Sequence, residues 1–207
     1  MKIGVLGAGS MAHALGGQWV AQGHEVFIGG RDGCKAEALG AELGAQSGSL
    51  REAAEFGDVV LMGVHWAGIE DTAVAIGDAV RGKVVIDCGN PVEVEGFTLI
   101  TEPGDSLGEL IQRRTGARVV KAFNLCHAEV WQMRPPVFDG RPLAVPYSSD
   151  DPAAKEVVAQ LIREMGADPI DLGPLYHSKD LEGMGTVIIT LLFGGLAPRT
   201  VFNLVAA

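Results

Sequence analysis

A glycine-rich turn close to residue 1 has the spacing that binds a dinucleotide. Gly7, Gly9 and Ala12 match G-x-G-x-x-A, follow a short apolar run and precede a helical pattern. Gly7 allows a tight turn, Gly9 lets the main chain approach a pyrophosphate, and Ala12 lets the helix pack closely on the strand. The first helical amides then point at the anion. We therefore expect cofactor contacts at Gly7, Gly9, Ser10, Met11 and Ala12.

An arginine stands where such sites usually carry an acid. Gly29 lies about 20 residues after Gly7, where NAD-binding folds offer a carboxylate to the ribose 2′-hydroxyl, and the chain continues Gly30-Arg31. A guanidinium binds a 2′-phosphate through charge-assisted, forked hydrogen bonds worth roughly 1.5–3 kcal/mol. Gly30 and Arg31 thus predict NADP(H) rather than NAD(H), and the alternative is a solvated surface arginine.

Polar side chains follow three further predicted strands. His65, Asn90 and Asn124 each come shortly after an apolar run, at the edge where parallel sheets bind ligands. We predict that His65 lines the site, with a partly buried structural histidine as the alternative. Asn90 precedes Pro91, so it fits either a ligand contact or a turn. Lys121 lies inside a predicted strand and is expected to pair with a carboxylate rather than with a ligand.

Composition argues against several classes of protein. The 207 residues carry a formal net charge of −10, whereas nucleic acids and anionic membranes attract clustered Lys and Arg. Three scattered cysteines without CxxC spacing argue against a disulfide scaffold and predict a reducing, cytoplasmic location. No His or Cys pair has metal-ligand spacing. The uncharged stretch 183–197 is shorter than the about 20 residues of a membrane span, which favours a buried helix.

These residues need elements that bring several strand ends to one edge. Predicted strands cover 2–6, 25–28, 58–64, 83–87, 118–123, 142–145 and 167–171. Predicted helices cover 11–22 with Ser10 as N-cap, 35–43, 69–80, 106–114, 153–165 after Asp151-Pro152, and most of 175–196. The alternation predicts an α/β fold, a Rossmann-type doubly wound, mainly parallel sheet with a C-terminal helical extension. It predicts one NADP-binding domain over 1–207, with 175–207 as its C-terminal helical segment.

Six segments follow one another in an order that one family shares. They read GAGSMAHAL, GHEVFIGGRD, VVLMGVHWAGIEDTA, DCGNPV, ARVVKAFN and DPIDLGPL, and they span nearly the whole chain. In these segments the chain resembles the NADPH-dependent coenzyme F-420 reductases, and also the cytosolic reductase domains of the six-transmembrane epithelial antigen of the prostate metalloreductases. The resemblance implies an NADP-binding oxidoreductase that passes a hydride to a flavin or a deazaflavin such as coenzyme F-420.

The resemblance also implies roles for individual residues. The pyrophosphate would be cradled by Gly7, Gly9, Ser10 and Met11, and the 2′-phosphate would be held by Arg31. The path from the adenine ribose toward the nicotinamide would follow Val64, His65 and Trp66. The nicotinamide end would be lined by Asn90, Pro91 and Asn124. His65 and Asn124 are the predicted catalytic residues, while a dedicated acid is optional because the cofactor rings carry the chemistry.

Two other functions fit the same glycine turn. A reductase of a small carbonyl or imine would need a proton donor, and the chain contains no Tyr-x-x-x-Lys pair. A non-enzymatic NADP(H)-binding redox sensor would bind the cofactor without turnover. Candidate acids near strand ends are His65, His127, Tyr176 and His177. The apolar C-terminal helix, with Met184, Leu191, Leu192 and Phe193, is expected to wall a second pocket or to form a homodimer contact.

Overall fold

The structure is a computed structural model that describes residues 1–93, 95–102 and 104–195. Its strands are β1 (Lys2–Leu6), β2 (Glu25–Gly29), β3 (Gln46–Gly48), β4 (Val59–Met62), β5 (Val84–Asp87), β6 (Val92–Glu93), β7 (Thr98–Leu99), β8 (Arg118–Lys121), β9 (Val137–Phe138), β10 (Arg141–Pro142), β11 (Ala144–Tyr147) and β12 (Asp168–Asp171). Its helices are α1 (Ser10–Ala21), α2 (Gly33–Leu43), α3 (Leu50–Phe56), α4 (Ile69–Ile76), α5 (Leu107–Thr115), α6 (Ala128–Trp131), α7 (Pro152–Glu164) and α8 (Ser178–Phe193). Turns of 3-10 helix at Trp66–Gly68 and Leu175–His177 precede α4 and α8.

Six of the strands form one parallel sheet in the order β3-β2-β1-β4-β5-β8. Each neighbouring pair runs parallel. Counted within the sheet, this is the 3-2-1-4-5-6 order of a doubly wound dinucleotide-binding fold. The predicted fold class is therefore confirmed. Chain order reverses between β1 and β4, and the crevice outside the carboxyl ends of these two strands is where such sheets bind their ligands.

The central strands are buried on both faces, as the long apolar run over 58–64 indicated. Ile3, Val5 and Leu61 pack in one core, whereas Leu6 and Val60 pack in a second core across the sheet. Successive side chains of a strand point to opposite faces, so one short apolar strand supplies both cores. The helices that cover the two faces thereby fix the strand ends in position.

Helix ends show which local signals the sequence carries. Asp151 caps α7, because its Oδ1 accepts the Ala154 N–H at 2.7 Å and Pro152 occupies the first turn, as predicted. The missed α3 begins with a capping box in which Ser49 and Glu52 bond each other's backbone amides. Ser49-Leu50-Arg51-Glu52 is an S-x-x-E signature, so this helix could have been predicted from the sequence.

Three predicted details are wrong. Gly9 is the N-cap of α1, whereas Ser10 is its first helical residue and makes no capping bond. The helix predicted over 69–80 ends at Ile76, because Gly77 adopts φ 56° and breaks the helical path. The strand predicted over 142–145 is divided, since Pro142 pairs in a hairpin with β9 while β11 pairs in parallel with β12.

The C-terminal helical extension is confirmed as α8, although Leu196 of the predicted helix lies outside the described residues. An isolated antiparallel bridge between Lys121 and Ser148 links the β11–β12 pair to the main sheet. None of the helices described is both long and apolar enough to cross a bilayer.

Candidate active site

The glycine turn links the carboxyl end of β1 to α1 at the crevice. Gly7 has φ 117°, a conformation that L side chains rarely adopt, and a Cβ there would lie 2.6 Å from Gly63 O. The Gly7 N–H donates to Gly29 O at 2.7 Å, which ties the turn to the end of β2. The fold itself therefore requires glycine at position 7.

Gly9 has a different reason to be glycine. Its φ of −97° suits any residue, and a Cβ there would meet no atom within 4 Å. The space beside Gly9 is thus open, as a close pyrophosphate approach requires. The first amides of α1, from Ser10 and Met11, have no acceptor within the helix and can donate to an anion. Ala12 is fully buried beneath them, so the turn fits a dinucleotide.

Arg31 extends from the end of β2 into solvent. Its side chain is 66% exposed, and among the described residues Asp71 is the acid that reaches it, with Oδ2 4.0 Å from Nη1. Asp32 is occupied differently, because it caps α2 by accepting the Lys35 N–H at 3.2 Å. A Cβ on Gly30 would lie 3.1 Å from Ala36 Cβ, so the backbone here lies tightly against α2. Because the Arg31 side chain is exposed and its contact with Asp71 is long, the guanidinium can bind an anion.

A cavity of about 900 Å³ opens beyond the glycine turn. Ser10 and Met11 line it at one end, Cys88 and Asn90 line it after β5, and residues 123–130 line it after β8. Helix α8 supplies an apolar wall of Gly185, Ile188, Ile189, Leu192 and Phe193. This volume is within the range of small-molecule sites. The structure thus brings part of the predicted phosphate site and both predicted asparagines to one cavity.

Asn90 and Asn124 form one hydrogen-bonded pair. Asn90 Nδ2 donates to Asn124 O at 2.7 Å, and Asn124 Nδ2 donates to Asn90 Oδ1 at 2.8 Å and to Leu181 O at 2.9 Å. These partners fix the orientation of both amides. Asn124 Oδ1 is buried and has no hydrogen-bond partner in the described part of the chain. Asn90 therefore does more than turn the chain, since it joins the loops that follow β5 and β8.

Phe123 positions Asn124 through an unusual backbone conformation. It has φ 65° although it is not glycine, and its ring is buried edge-on against Trp131 at 5.3 Å between centroids. Backbone strain of this kind persists only where packing enforces it, and it clusters at ligand sites. The observation supports a functional position for the residues directly after β8.

A buried ion cluster lies under the asparagine pair. Lys121 Nζ donates to Asp87 Oδ2 at 2.8 Å, to Glu182 Oε1 at 2.8 Å and to Gly89 O at 2.6 Å. None of the three charged side chains is more than 1% exposed. Burial disfavours the Lys121 ammonium, but the charges of Asp87 and Glu182 outweigh it and raise its pKa. Lys121 thus pairs with carboxylates, as predicted from the sequence.

Sequence reasoning missed the partners Asp87 and Glu182. Burial raises the pKa of Glu182 above its ordinary value, although the Lys121 charge acts in the opposite direction. Glu182 also accepts the Leu107 N–H through both carboxylate oxygens, at 3.0 and 3.2 Å. A lone acid beside the apolar run of α8 was the available signal, because a buried charge needs a partner.

Val64, His65 and Trp66 follow β4, outside the lining of the cavity. His65 is exposed and its Nδ1 accepts the Ala67 N–H at 3.3 Å, while Trp66 Nε1 donates to Val92 O at 3.1 Å. Pro91 is buried next to Asn90. The cofactor contacts predicted for these residues, and the catalytic role predicted for His65, stay predictions.

The titratable groups that line the cavity are two thiols and two exposed side chains at its rim. Burial raises the pKa of Cys88 to about 12 and that of Cys126 to about 11, so neither is a ready thiolate. His127 and Glu129 lie 3.9 Å apart with side chains 71% and 84% exposed. Within the described ranges, no group of three or more His, Cys, Asp or Glu could hold a metal ion.

The wall formed by α8 differs in part from the prediction. Leu192 and Phe193 line the cavity, as expected for a pocket wall. Met184 and Leu191 do not line it. Met184 lies on the outer face of the helix and is 47% exposed. The residues that face the cavity follow Gly185 at helical spacing and are Ile188, Ile189, Leu192 and Phe193. The sequence alone could not show which face of this apolar helix points inward.

Comparison with known proteins agrees with this arrangement. Residues 2–91 match the family described as "NADP oxidoreductase coenzyme F420-dependent". The chain is 30% identical over 186 residues to the metalloreductase STEAP3 of Rattus norvegicus, a match that covers 88% of the chain but only 36% of the relative. It is 28% identical over 210 residues to the F420-dependent NADP reductase of Methanocaldococcus jannaschii, which covers 92% of each protein.

A solved structure is similar to this chain over nearly its full length. The crystal structure of a putative F420-dependent NADP-reductase from Arthrobacter sp. FB24 superposes with a TM-score of 0.85 and 30% identity, and the match covers 94% of each chain. The glycine turn, the sheet order and these similarities agree. The chain therefore belongs to the family of coenzyme F-420-dependent NADP oxidoreductases.

Proposed function

We propose that this NADP-dependent oxidoreductase transfers a hydride between NADPH and a flavin-like ring, with coenzyme F-420 as the first candidate. The observation that supports this acceptor is one continuous cavity that joins the start of α1, the asparagine pair and the apolar wall of α8. Bound NADPH would supply the hydride from C4 of its nicotinamide. In balance, NADPH, a proton and the oxidised acceptor give NADP⁺ and the two-electron-reduced acceptor, with the proton taken from solvent.

The chain's own residues have three tasks in this proposal. The amides of Ser10 and Met11 hold the pyrophosphate, and Arg31 holds the 2′-phosphate. Asn90 and Asn124 orient the nicotinamide end, where the buried Oδ1 of Asn124 is an acceptor without a protein partner in the described residues. The wall of α8 excludes water and supports a planar ring, so that two rings lie at reacting distance.

The carbonyl or imine alternative has less support in the geometry. Such a substrate needs an acid close to the reacting atom. The described residues that line the cavity include no tyrosine and no lysine, and His127 lies at the exposed rim. The ring acceptor is therefore the better fit, because it can take its proton from solvent.

A panel of acceptors tests the proposal. NADPH oxidation should be fastest with coenzyme F-420 or a free flavin, compared with ferric complexes and with small cyclic imines. Ile189→Ser should raise the KM for the ring acceptor about tenfold, because it removes apolar contact from the wall. Ile170→Ser is the matched control, since Ile170 is 44% exposed on β12 and does not line the cavity. Turnover with imines alone, or tight NADPH binding without turnover of any acceptor, would refute the proposal.

We infer in addition that the protein is a homodimer that uses the outer face of α8. Met184 and Val187 leave this face apolar and are 47% and 48% exposed. Val187→Glu should reduce the solution mass to that of one chain in light scattering, and a monomeric parent protein would contradict the inference. A cytoplasmic location and a single domain over 1–207 stay predictions.

A further inference from the structure

The buried ion cluster of Lys121, Asp87 and Glu182 is connected to the asparagine pair at both ends. Asp87 Oδ1 accepts the Gly89 N–H at 2.9 Å, and Lys121 Nζ donates to Gly89 O at 2.6 Å. Both polar groups of the residue before Asn90 are thereby held by buried charges. At the other end, Glu182 directly follows Leu181, whose carbonyl accepts from Asn124 at 2.9 Å.

Helix α8 lies directly on the asparagine pair. A Cβ added at Gly185 would overlap the side-chain amide of Asn90. Gly185 also lines the cavity, one turn before Ile188 and Ile189. Any shift of α8 along its axis would therefore move the wall and the asparagines relative to each other.

Stability alone gives no reason for this cluster. A buried ion pair is often no better for stability than well-packed apolar residues of the same volume, because desolvation offsets the attraction. What apolar residues could not do is hold the polar groups of Gly89 and the Leu107 amide in fixed positions. Hydride transfer depends on the distance and angle between two rings, so such positioning has a direct effect on rate.

We propose that Lys121, Asp87 and Glu182 are positioning residues that set α8 against the asparagine pair and so fix the gap between nicotinamide and acceptor. The proposal rests on the hydride transfer proposed above. It assigns to Glu182 a role through α8 and to Asp87 a role through Gly89, while neither touches a ligand.

Glu182→Gln tests the proposal because it keeps the shape of the side chain and removes its charge. We expect kcat with the ring acceptor to fall about tenfold to a hundredfold, while the Kd for NADPH changes by less than about twofold. The deuterium isotope effect on kcat, with NADPH deuterated at the transferred position, should increase as hydride transfer becomes the slow step. Glu164→Gln is the matched control, since Glu164 is the last residue of α7, bonds His24 and does not line the cavity. This variant should leave kcat unchanged. A folded Glu182→Gln protein with parental kcat and isotope effect would overturn the proposal.

A measurement on the unmodified protein keeps the test decisive if that variant does not fold or if no acceptor is turned over. NADP⁺ should slow amide hydrogen exchange in peptides that contain Gly89 and Leu181, whereas 2′-phospho-ADP-ribose, which lacks nicotinamide, should not. Equal effects of the two ligands on these peptides would overturn the positioning role. Selective protection by NADP⁺ in a protein that reduces no flavin would refute the proposed acceptor but support the positioning of the nicotinamide.

Discussion

Replacing Arg31 with alanine should weaken NADPH binding about tenfold and leave NADH binding nearly unchanged. The Arg31 side chain follows β2 and is 66% exposed, and its contact with Asp71 is long, at 4.0 Å. Removing the arginine should therefore change the stability of the cofactor-free protein little. A charge-assisted pair with a phosphate contributes roughly 1.5–3 kcal/mol, or about tenfold to a hundredfold in affinity. Solvent and salt screen so exposed a contact, which favours the lower end of that range.

Titration calorimetry with both cofactors at two salt concentrations is the assay. The NADPH-to-NADH preference should fall in Arg31→Ala and, to a smaller extent, in Arg31→Lys, which keeps the charge but loses the fork. The preference of the parent protein should also decrease with added salt. Arg163→Ala is the control, because Arg163 is 55% exposed on α7 and pairs with Glu156. Equal loss of both cofactors, or an equal loss in the control, would refute the assignment of the 2′-phosphate to Arg31.

Four further predictions concern the glycine turn, a partly buried thiol and a surface ion pair. Gly7→Ala should destabilise the protein by roughly 1–3 kcal/mol, because its φ is 117° and its Cβ would crowd the backbone after β4. Gly9→Ala should have the melting temperature of the parent protein but a lower affinity for NADPH. Equal melting temperatures of Gly7→Ala and Gly9→Ala would contradict these different roles of the two glycines. Burial raises the pKa of Cys126 to about 11, so at neutral pH a maleimide should label it far more slowly than the exposed Cys34, as mass spectrometry of the labelled peptides can show. The Arg113 hydrogen bond lowers the pKa of Asp105 below its ordinary value of 3.8. Above that pH, Asp105→Asn should therefore be less stable than the parent by up to about 1 kcal/mol. Urea unfolding curves of the two proteins should converge as the pH falls below the folded-state pKa.

The fold could be predicted because its signals are local. Apolar runs of strand length, the glycine turn and the Asp151-Pro152 cap each depend on residues within one or two turns of the chain. The differences between prediction and structure are local as well. Gly77 ends a helix that composition alone would continue, and Ser49 begins a helix through an S-x-x-E signature.

Part of the site could be predicted for the same reason. Gly7 and Gly9 belong to one turn, and Asn90 and Asn124 each follow a strand whose end lies at the ligand edge. The sequence could not show that these two asparagines bond each other, because their separation along the chain is 34 residues. It also could not show that Val64, His65 and Trp66 lie outside the lining of the cavity.

The sequence by itself determined a parallel sheet, a dinucleotide turn and an arginine in place of an acid, since each follows from spacing and residue type over short distances. Tertiary structure alone decided the other half of the cavity. Lys121 meets Glu182 across 61 residues and Asp87 across 34, and α8 turns Ile188 inward and Met184 outward. Contacts of that range depend on how helices pack against a sheet, and no local pattern in the chain encodes that geometry.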